Sequence, residues 1–495
     1  MKYKQLLVKI TLLIIIISGI SALSFAQRTP LTIEMALDIA EENNPQTVTS
    51  KLNLERTRYS LEAQRASLKS QFSMTVNPFG YSQGRNFDNR TSQWFTNTNI
   101  NSSGVFRITQ PILLTDGQIS LINTFGWQEN RSFNDVINNS NKAFSNDLQL
   151  RFTQPLFTYN RQKMAMKRLE HDYENAGISY ALQRLSTESR ITNQFYSVFI
   201  AQKNLEISHE ELANAKSNYE IIKSKVNAEL SAREELFQAE VNLARAESSV
   251  ESGKVSLDNA KDNLKQTLGI PLSEDIDVIA DIKANPILIN LHQAIQSGMN
   301  SRMELRQREI NIEETELRML EIKAMNEFSG NISLSLGIVG DNERLSNVYN
   351  DPVSSPRVAI SFNVPIFDWG ERKARIKAQQ TAQTIAKLDY DNQVTNIELN
   401  IRQTLRNLNS LLTQIKITEK QVENTQRTYD LNLIKYREGD ITGMDINQFQ
   451  TQLSSAKVSQ LQALINYKTE LLNMKILTLY DFEKDKAIIP VMGLD

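Results

Sequence analysis

The chain repeats itself, and the repeat is long enough to dictate an architecture. Leu148–Lys163, LQLRFTQPLFTYNRQK, matches Val358–Lys373, VAISFNVPIFDWGERK. Phe152, Pro155, Phe157 and Lys163 fall on Phe362, Pro365, Phe367 and Lys373, an offset of 210 residues. The offset holds without a gap through Tyr219 and Tyr429, Lys225 and Lys435, and Glu235 and Asp445. Upstream it changes to 258, where LTIEMALDIAEENNP at 31–45 resembles INLHQAIQSGMNSRM at 289–303 and Ala36 meets Ala294. The first half therefore carries about 48 extra residues between its early helix and the shared strand. Part of that excess is another duplication: RITQPIL at 107–113 returns as RFTQPLF at 151–157, which reads as an added hairpin. The chain is predicted to hold two structural repeats of one supersecondary unit.

Each half has the same order. A moderate helix comes first, about 31–71 and 288–328, then a strand-rich stretch, 72–158 and 329–368. Two long helices follow with a short break between them, about 160–228 and 233–268, then 371–437 and 442–480. The first repeat thus spans 27–268, a connector with Pro271 and Pro286 fills 269–287, the second repeat spans 288–480, and 481–495 is a tail. Proline placement agrees: none occurs between Pro155 and Pro271, or between Pro365 and Pro490, and interior proline breaks helices. Val394, Ile397, Ile401, Leu405, Leu408, Leu412 and Ile415 recur three or four apart, a narrow apolar seam of the kind that packs neighbouring helices. Spacing of this kind is also compatible with a generic trimeric coiled-coil stalk that transports nothing.

The strand-rich stretches argue for something else. Val358, Ile360, Phe362, Val364 and Ile366 alternate with smaller or polar residues, as do Ile332, Leu334, Leu336 and Ile338, and Leu148, Leu150 and Phe152. Period-two segments of about ten residues fit a wall with lipid on one side and water on the other. Phe79, Tyr81, Trp94, Trp127, Phe157, Tyr159, Phe367 and Trp369 cluster in or beside them, where interfacial aromatics are expected. No later segment is apolar enough for a membrane helix, so any membrane span must be built from strands. Two core strands per half, about four per chain, are too few to enclose an aqueous lumen. Strand edges cannot face lipid unpaired, so the chain is predicted to pool strands with copies of itself.

Composition narrows the function. There is no cysteine, which removes disulfides, thiol catalysis, cysteine-zinc sites and a lipid on an N-terminal cysteine. His171, His209 and His292 stand in no metal-ligand spacing and read as ordinary surface histidines. Lys2, Lys4 and Lys9 precede the apolar run Ile10–Ile20, and Ser24 and Ala26 are small; this predicts a signal peptide over 1–26, cleaved after Ala26. Without it the formal charge falls from −2 to −5, and nothing points to nucleic acid. No Ser/His/Asp arrangement, phosphate loop or metal cluster appears, so neither an enzyme nor a cofactor is expected.

At this point the chain resembles the TolC family of outer-membrane efflux proteins. The residues that carry the resemblance are LTIEMALDIAEENNP, FTQPLFTYNRQK, FNVPIFDWGERK and KYREGDITGMDINQFQTQL at 435–453. It covers about 31–480. It implies an α+β membrane protein: a homotrimer with a transmembrane β-barrel to which each protomer gives four of twelve strands. A long coiled α-helical barrel continues it across the periplasm. The connector and chain ends would form an equatorial belt, and a periplasmic adaptor and an inner-membrane transporter would dock near the tip. The 48 extra residues depart from that plan.

The helix breaks carry the candidate site. One is 435–445, where Gly439 and Gly443 supply permissive backbone; the other is 225–235, without glycine. The resemblance implies that Tyr436 and Glu235 help close the pore and that Asp445 forms part of an acidic ring. Gln448 stands where a second aspartate can occur, and Ile441 where a gate arginine can. Three copies of Asp445 around a narrow pore would attract cations and repel anions. The alternative is that Asp445 caps its own helix.

Overall fold

The structure, a computed structural model, describes residues 30–89, 92–133, 138–280, 282 and 285–494. The expected signal peptide lies outside these residues. In chain order come α1 (Ile33–Asn43), α2 (Pro45–Ser67), β1 (Gln71–Asp88), β2 (Gln93–Ile112), β3 (Gly117–Phe133), β4 (Asn138–Leu156), α3 (Arg161–Asn227) and α4 (Arg233–Leu268). The second half gives α5 (Leu291–Ser301), α6 (Met303–Ala324), β5 (Ser329–Asn342), the short β6 (Val353–Ser354), β7 (Arg357–Asn363), α7 (Glu371–Glu438) and α8 (Gly443–Thr478). A small pair, β8 (Tyr480–Asp481) and β9 (Lys486–Ala487), follows. The duplication is visible in the boundaries: α4 and α8 each have 36 residues and start 210 residues apart.

Two compact units emerge, each drawing on both halves. The first takes the chain up to Lys51, Ser179–Arg302 and Thr395–Met492; the second takes Leu52–Ile178, Met303–Val394 and the chain from Gly493.

The first unit is helical. Its core joins Ala36 and Ala40, one turn apart on α1, to Ile191, Phe195 and Val198 of α3, Leu264 and Leu268 of α4, and Ile276 and Val278 of the connector. Burying a large aliphatic or aromatic side chain of this kind contributes roughly 1.5–3 kcal/mol. The connector is pinned by a bridge in which Leu31 N donates to Asp277 O (2.8 Å) and Ile279 N to Leu31 O (3.1 Å). Asn44, buried between α1 and α2, accepts from Gln46 N (3.0 Å) and Thr47 N (2.9 Å) and donates to Thr267 O (2.6 Å). It thereby caps α2 and satisfies a carbonyl near the end of α4. Gly269 closes α4 at φ +76°, and a Cβ there would stand 2.1 Å from Asn43 O. Along α7 four of the seven expected seam residues, Ile397, Ile401, Leu408 and Ile415, are buried, with Thr404 and Thr418 on the same stripe, while Val394, Leu405 and Leu412 are only partly buried.

The second unit holds one continuous antiparallel sheet in the order β1-β2-β3-β4-β5, with β6 and β7 both paired to β5. Cross-strand partners share a face, so the pairing sorts the side chains. Phe72, Ile108, Leu121, Leu150 and Leu336 form one row across five strands, and Ile119, Phe152, Leu334 and Val358 form the next. The opposite face carries Ser73, Thr75, Arg107, Ser120, Thr124, Arg151, Ser333, Ser335, Ala359 and Ser361. The apolar face is uncovered: Phe72 is 68% exposed, Leu336 67% and Val358 71%. On β3 it runs from Ile119 to Trp127, ~27 Å at about 3.4 Å per residue. Glu129 and Arg131 follow on that face, joined at 2.6 Å. Aromatics mark both ends of the band. Phe328 lies 5.2 Å from Phe157 and 5.5 Å from Phe362 at one end, and Trp127 pairs with Phe144 at the other. Among the described residues no helix is long and apolar enough to cross a membrane.

Three sequence expectations change here. The first half contributes four strands to this sheet, not two, because the added hairpin joins it as β1–β2. β7 stops at Asn363, short of the alternation expected through Ile366: its partner β5 begins at Ser329, and Pro365 has no N–H to give a ladder. His171 is not a surface residue. It is 1% exposed, with Nδ1 2.6 Å from Glu314 and Nε2 3.0 Å from Glu313 on α6. Arg306 in turn joins Glu313 (3.0 Å) to Glu174 (2.6 Å).

Candidate functional site

Both helix breaks lie in the first unit and share one backbone solution. Leu230 N donates to Lys225 O (2.8 Å) and Glu229 N to Val226 O (3.0 Å). At the second break Asp440 N donates to Lys435 O (2.9 Å) and Gly439 N to Tyr436 O (3.2 Å). These are paired Schellman bonds, which need one residue in the left-handed region. Gly439 supplies it at φ +91°; its twin, 210 residues earlier, is Glu229 at φ +60°. The missing glycine in the first break is therefore a strained glutamate in the same turn.

Tyr436 stands one turn before Gly439, 7% exposed. Its hydroxyl donates to Asn218 Oδ1 on α3, and the Lys225 ammonium lies 5.6 Å from its ring centroid. Burial pushes the Tyr436 hydroxyl above its ordinary range, and the charge of Glu235 pushes the same way. The phenol therefore remains a neutral donor. Gly443, the first residue of α8, is not a flexible turn. A Cβ there would lie 3.1 Å from Ile222 Cδ1 and 3.4 Å from Asn218 Nδ2, so its bareness lets α8 approach α3.

Glu235 accepts from the Ser231 hydroxyl in the first turn of α4, beside Glu234, where acids suit the helix dipole. Asp445 is turned into its own helix. Asp445 N donates to Thr442 Oγ1 (3.3 Å), while Thr442 N (3.0 Å) and its hydroxyl (2.8 Å) donate to Asp445 Oδ2. This is a capping box. The hydroxyl and then the amide of Thr442 hold the Asp445 carboxyl below its usual range, so it stays ionised.

The structure thus brings Glu235 and Gly443 to one cleft, joins Tyr436 to it only through Asn218, keeps Asp445 in its own helix cap and leaves Gly439 open at the turn. A cavity of about 330 Å³ runs between Asn218, Ile222, Glu235, Gln238, Thr442 and Met444. Among the described residues no group of three or more His, Cys, Asp or Glu is placed to hold a metal ion. Sequence reasoning missed Asn218 and Thr442. Thr442 had a signal, the Thr-x-x-Asp spacing of a capping box; Asn218 had none, because its partner lies 218 residues away.

Comparison with known proteins agrees with this layout. The family model for "Outer membrane efflux protein" matches residues 118–270 and 330–478, more than half of the chain, and its two segments each begin on a strand and run through a pair of long helices. Nodulation protein T of Rhizobium leguminosarum bv. trifolii is 22% identical over 315 residues, 62% of this chain and 66% of that protein. The cation efflux system protein CusC of Escherichia coli K12 is 20% identical over 299 residues, 59% of this chain and 63% of that protein. The matched stretch thus spans just under two thirds of these relatives. The Campylobacter jejuni outer membrane channel CmeC superposes with a TM-score of 0.68 at 15% identity, covering 90% of this chain and 85% of that one. The chain belongs to the outer membrane efflux protein family, TolC-like in fold, and its place is the outer membrane.

Proposed function

We propose that the chain is one subunit of a homotrimeric channel-tunnel in a tripartite efflux or type I secretion system. It passively conducts cargo delivered by an inner-membrane transporter through a periplasmic adaptor. The observation that carries this reading is the sheet with one bare apolar face about one hydrocarbon core tall and one polar face, joined in the same chain to helices of 67 and 68 residues. Each such helix is on the order of 100 Å long, the reach needed to extend a duct from the outer membrane into the periplasm. In this reading the sheet is part of a β-barrel wall, with the Ser, Thr and Arg face lining water, and the helix breaks form the inner tip.

Function then resides in width and charge at the tip. Tyr436, held by Asn218, keeps the second hairpin against the first; Glu235 and Asp445 keep the tip acidic and cation-attracting. Purified protein in a planar bilayer should give discrete ion conductance, and native mass spectrometry should give three copies. A water-soluble single-copy protein without conductance would overturn the proposal.

A further inference from the structure

We infer that the wall closes from six strands per copy, with the free edge of β1 pairing to the free edge of β7 in a second copy of this chain. The six strands of seven residues or more form one unbroken meander, and β1 and β7 each have one side unpaired within the chain, among the described residues. Both edges lie inside the apolar band. Phe72, Met74 and Val76 of β1 share rows with Ile108, Phe106 and Gly104 and so with the rest of the sheet, and Val358 and Ile360 of β7 share rows with Leu334 and Ile332. A backbone edge at that depth has no water to bond and needs another strand. Along the rows of the sheet the two edges are staggered, Arg357 sharing the row of Gln71 with the rest of β1 beyond it on one side and the rest of β7 on the other. A closed barrel joins its edges with such a shear, and both edges turn the same apolar side outward, as copies of one chain would.

The alternative is that β1–β2 is an appendage and that β3 makes the contact with the next copy. The second half reaches its long helix through two long strands, β5 and β7, and the first half through four; the family match takes in β3 and β4, so β1–β2 is the hairpin without a counterpart. Yet β2 pairs with β3 from Thr96↔Phe133 to Ile112↔Gly117 without a register shift. Peeling it away would strip that ladder and leave Phe72, Met74 and Phe106 without an apolar surrounding. The turn between β2 and β3 is also fastened: Asp116 accepts from Arg161 Nε (2.9 Å) and Gln162 N (3.2 Å) at the start of α3. Asn160 Nδ2 donates to Leu113 O at 2.5 Å. The addition is built into the wall. With three copies, a count that rests on the proposed function, the barrel has eighteen strands instead of twelve. At equal tilt its circumference is about 1.5-fold larger.

The chain has no cysteine, so introduced pairs report cleanly. Thr75→Cys with Ala359→Cys, and Ser73→Cys with Ser361→Cys, should cross-link between copies with bismaleimides of graded length in outer-membrane vesicles. Ser120→Cys with Ala359→Cys should not. Efficient β3–β7 cross-linking between copies, or absence of every β1–β7 product in a preparation that native mass spectrometry shows to be trimeric, would overturn the inference. A single-copy mass would instead overturn the channel reading itself. As a readout independent of the variants, electron microscopy of the unmodified assembly should show the wider barrel; a twelve-stranded cross-section would refute it.

Discussion

The Tyr436 hydroxyl donates to Asn218 Oδ1, so the turn that ends α7 is tied to α3 by a buried bond between residues 218 apart. Tyr436→Phe deletes the donor and leaves the Asn218 oxygen unpaired. Such a loss costs about 1–3 kcal/mol, enough to shift a closed tip toward open by roughly fivefold to a hundredfold. Single-channel conductance or open probability in planar bilayers should rise. An unchanged record would remove Tyr436 from the gate.

Asp445 has two separable duties, capping and charge. Asp445→Asn keeps an oxygen for Thr442 but removes the charge. Reversal potential under a salt gradient should move toward anion permeability if the carboxylate faces the ion path. Unchanged selectivity would leave Asp445 as a cap only. Thr442→Val should cost roughly 1 kcal/mol by loss of the cap without altering selectivity.

Glu229 and Gly439 make a matched pair of turns with unmatched residues. Glu229→Gly should stabilise the detergent-solubilised protein by about 1 kcal/mol, since a non-glycine residue in the left-handed region is strained. Gly439→Ala should destabilise it by a similar amount. Gly269→Ala should be worse, because its Cβ would also collide with Asn43 O. Thermal unfolding of the three variants side by side checks the order.

Acid sensitivity should trace to the Arg306 cluster. Burial pushes the Glu313 carboxyl up, but the Arg306 hydrogen bond and charge, with His171 and Lys167, hold it below its ordinary value. A depressed carboxylate gives stability that is present above its unfolded pKa and lost as pH falls through the folded one. Arg306→Gln lets Glu313 protonate at a higher pH. The acid-unfolding midpoint should therefore move up, while stability at pH 7 falls. A midpoint that stays put would show that other carboxylates dominate.

Much of this was legible in the residues because it is local or repeated. Helix ends at Leu268 and Thr478 fall in one register because each is set by its own few neighbours. The period-two runs placed β4, β5 and most of β7, since alternation follows from the pleat itself. What stayed hidden depends on distant partners. His171 looked solvated among charged neighbours, yet α6 covers it with Glu313 and Glu314. Asn218 carried no local sign of meeting Tyr436. Gly443 looked like a flexible joint, and only the nearness of Ile222 reveals it as a close approach. The joining of β1–β2 to the main sheet needed the register with β3, which the RITQPIL echo could not supply.

The gapless 210-residue register has a mechanical corollary. Deleting one residue from α3 or α7 would turn everything beyond it by about 100° and shift it by about 1.5 Å. Asn218 and Tyr436 would then miss each other, and the seam at Ile397, Ile401 and Leu408 would rotate into solvent. The two halves are geared together: exposed side chains along these rods can be exchanged, while the tally of residues between one buried contact and the next cannot.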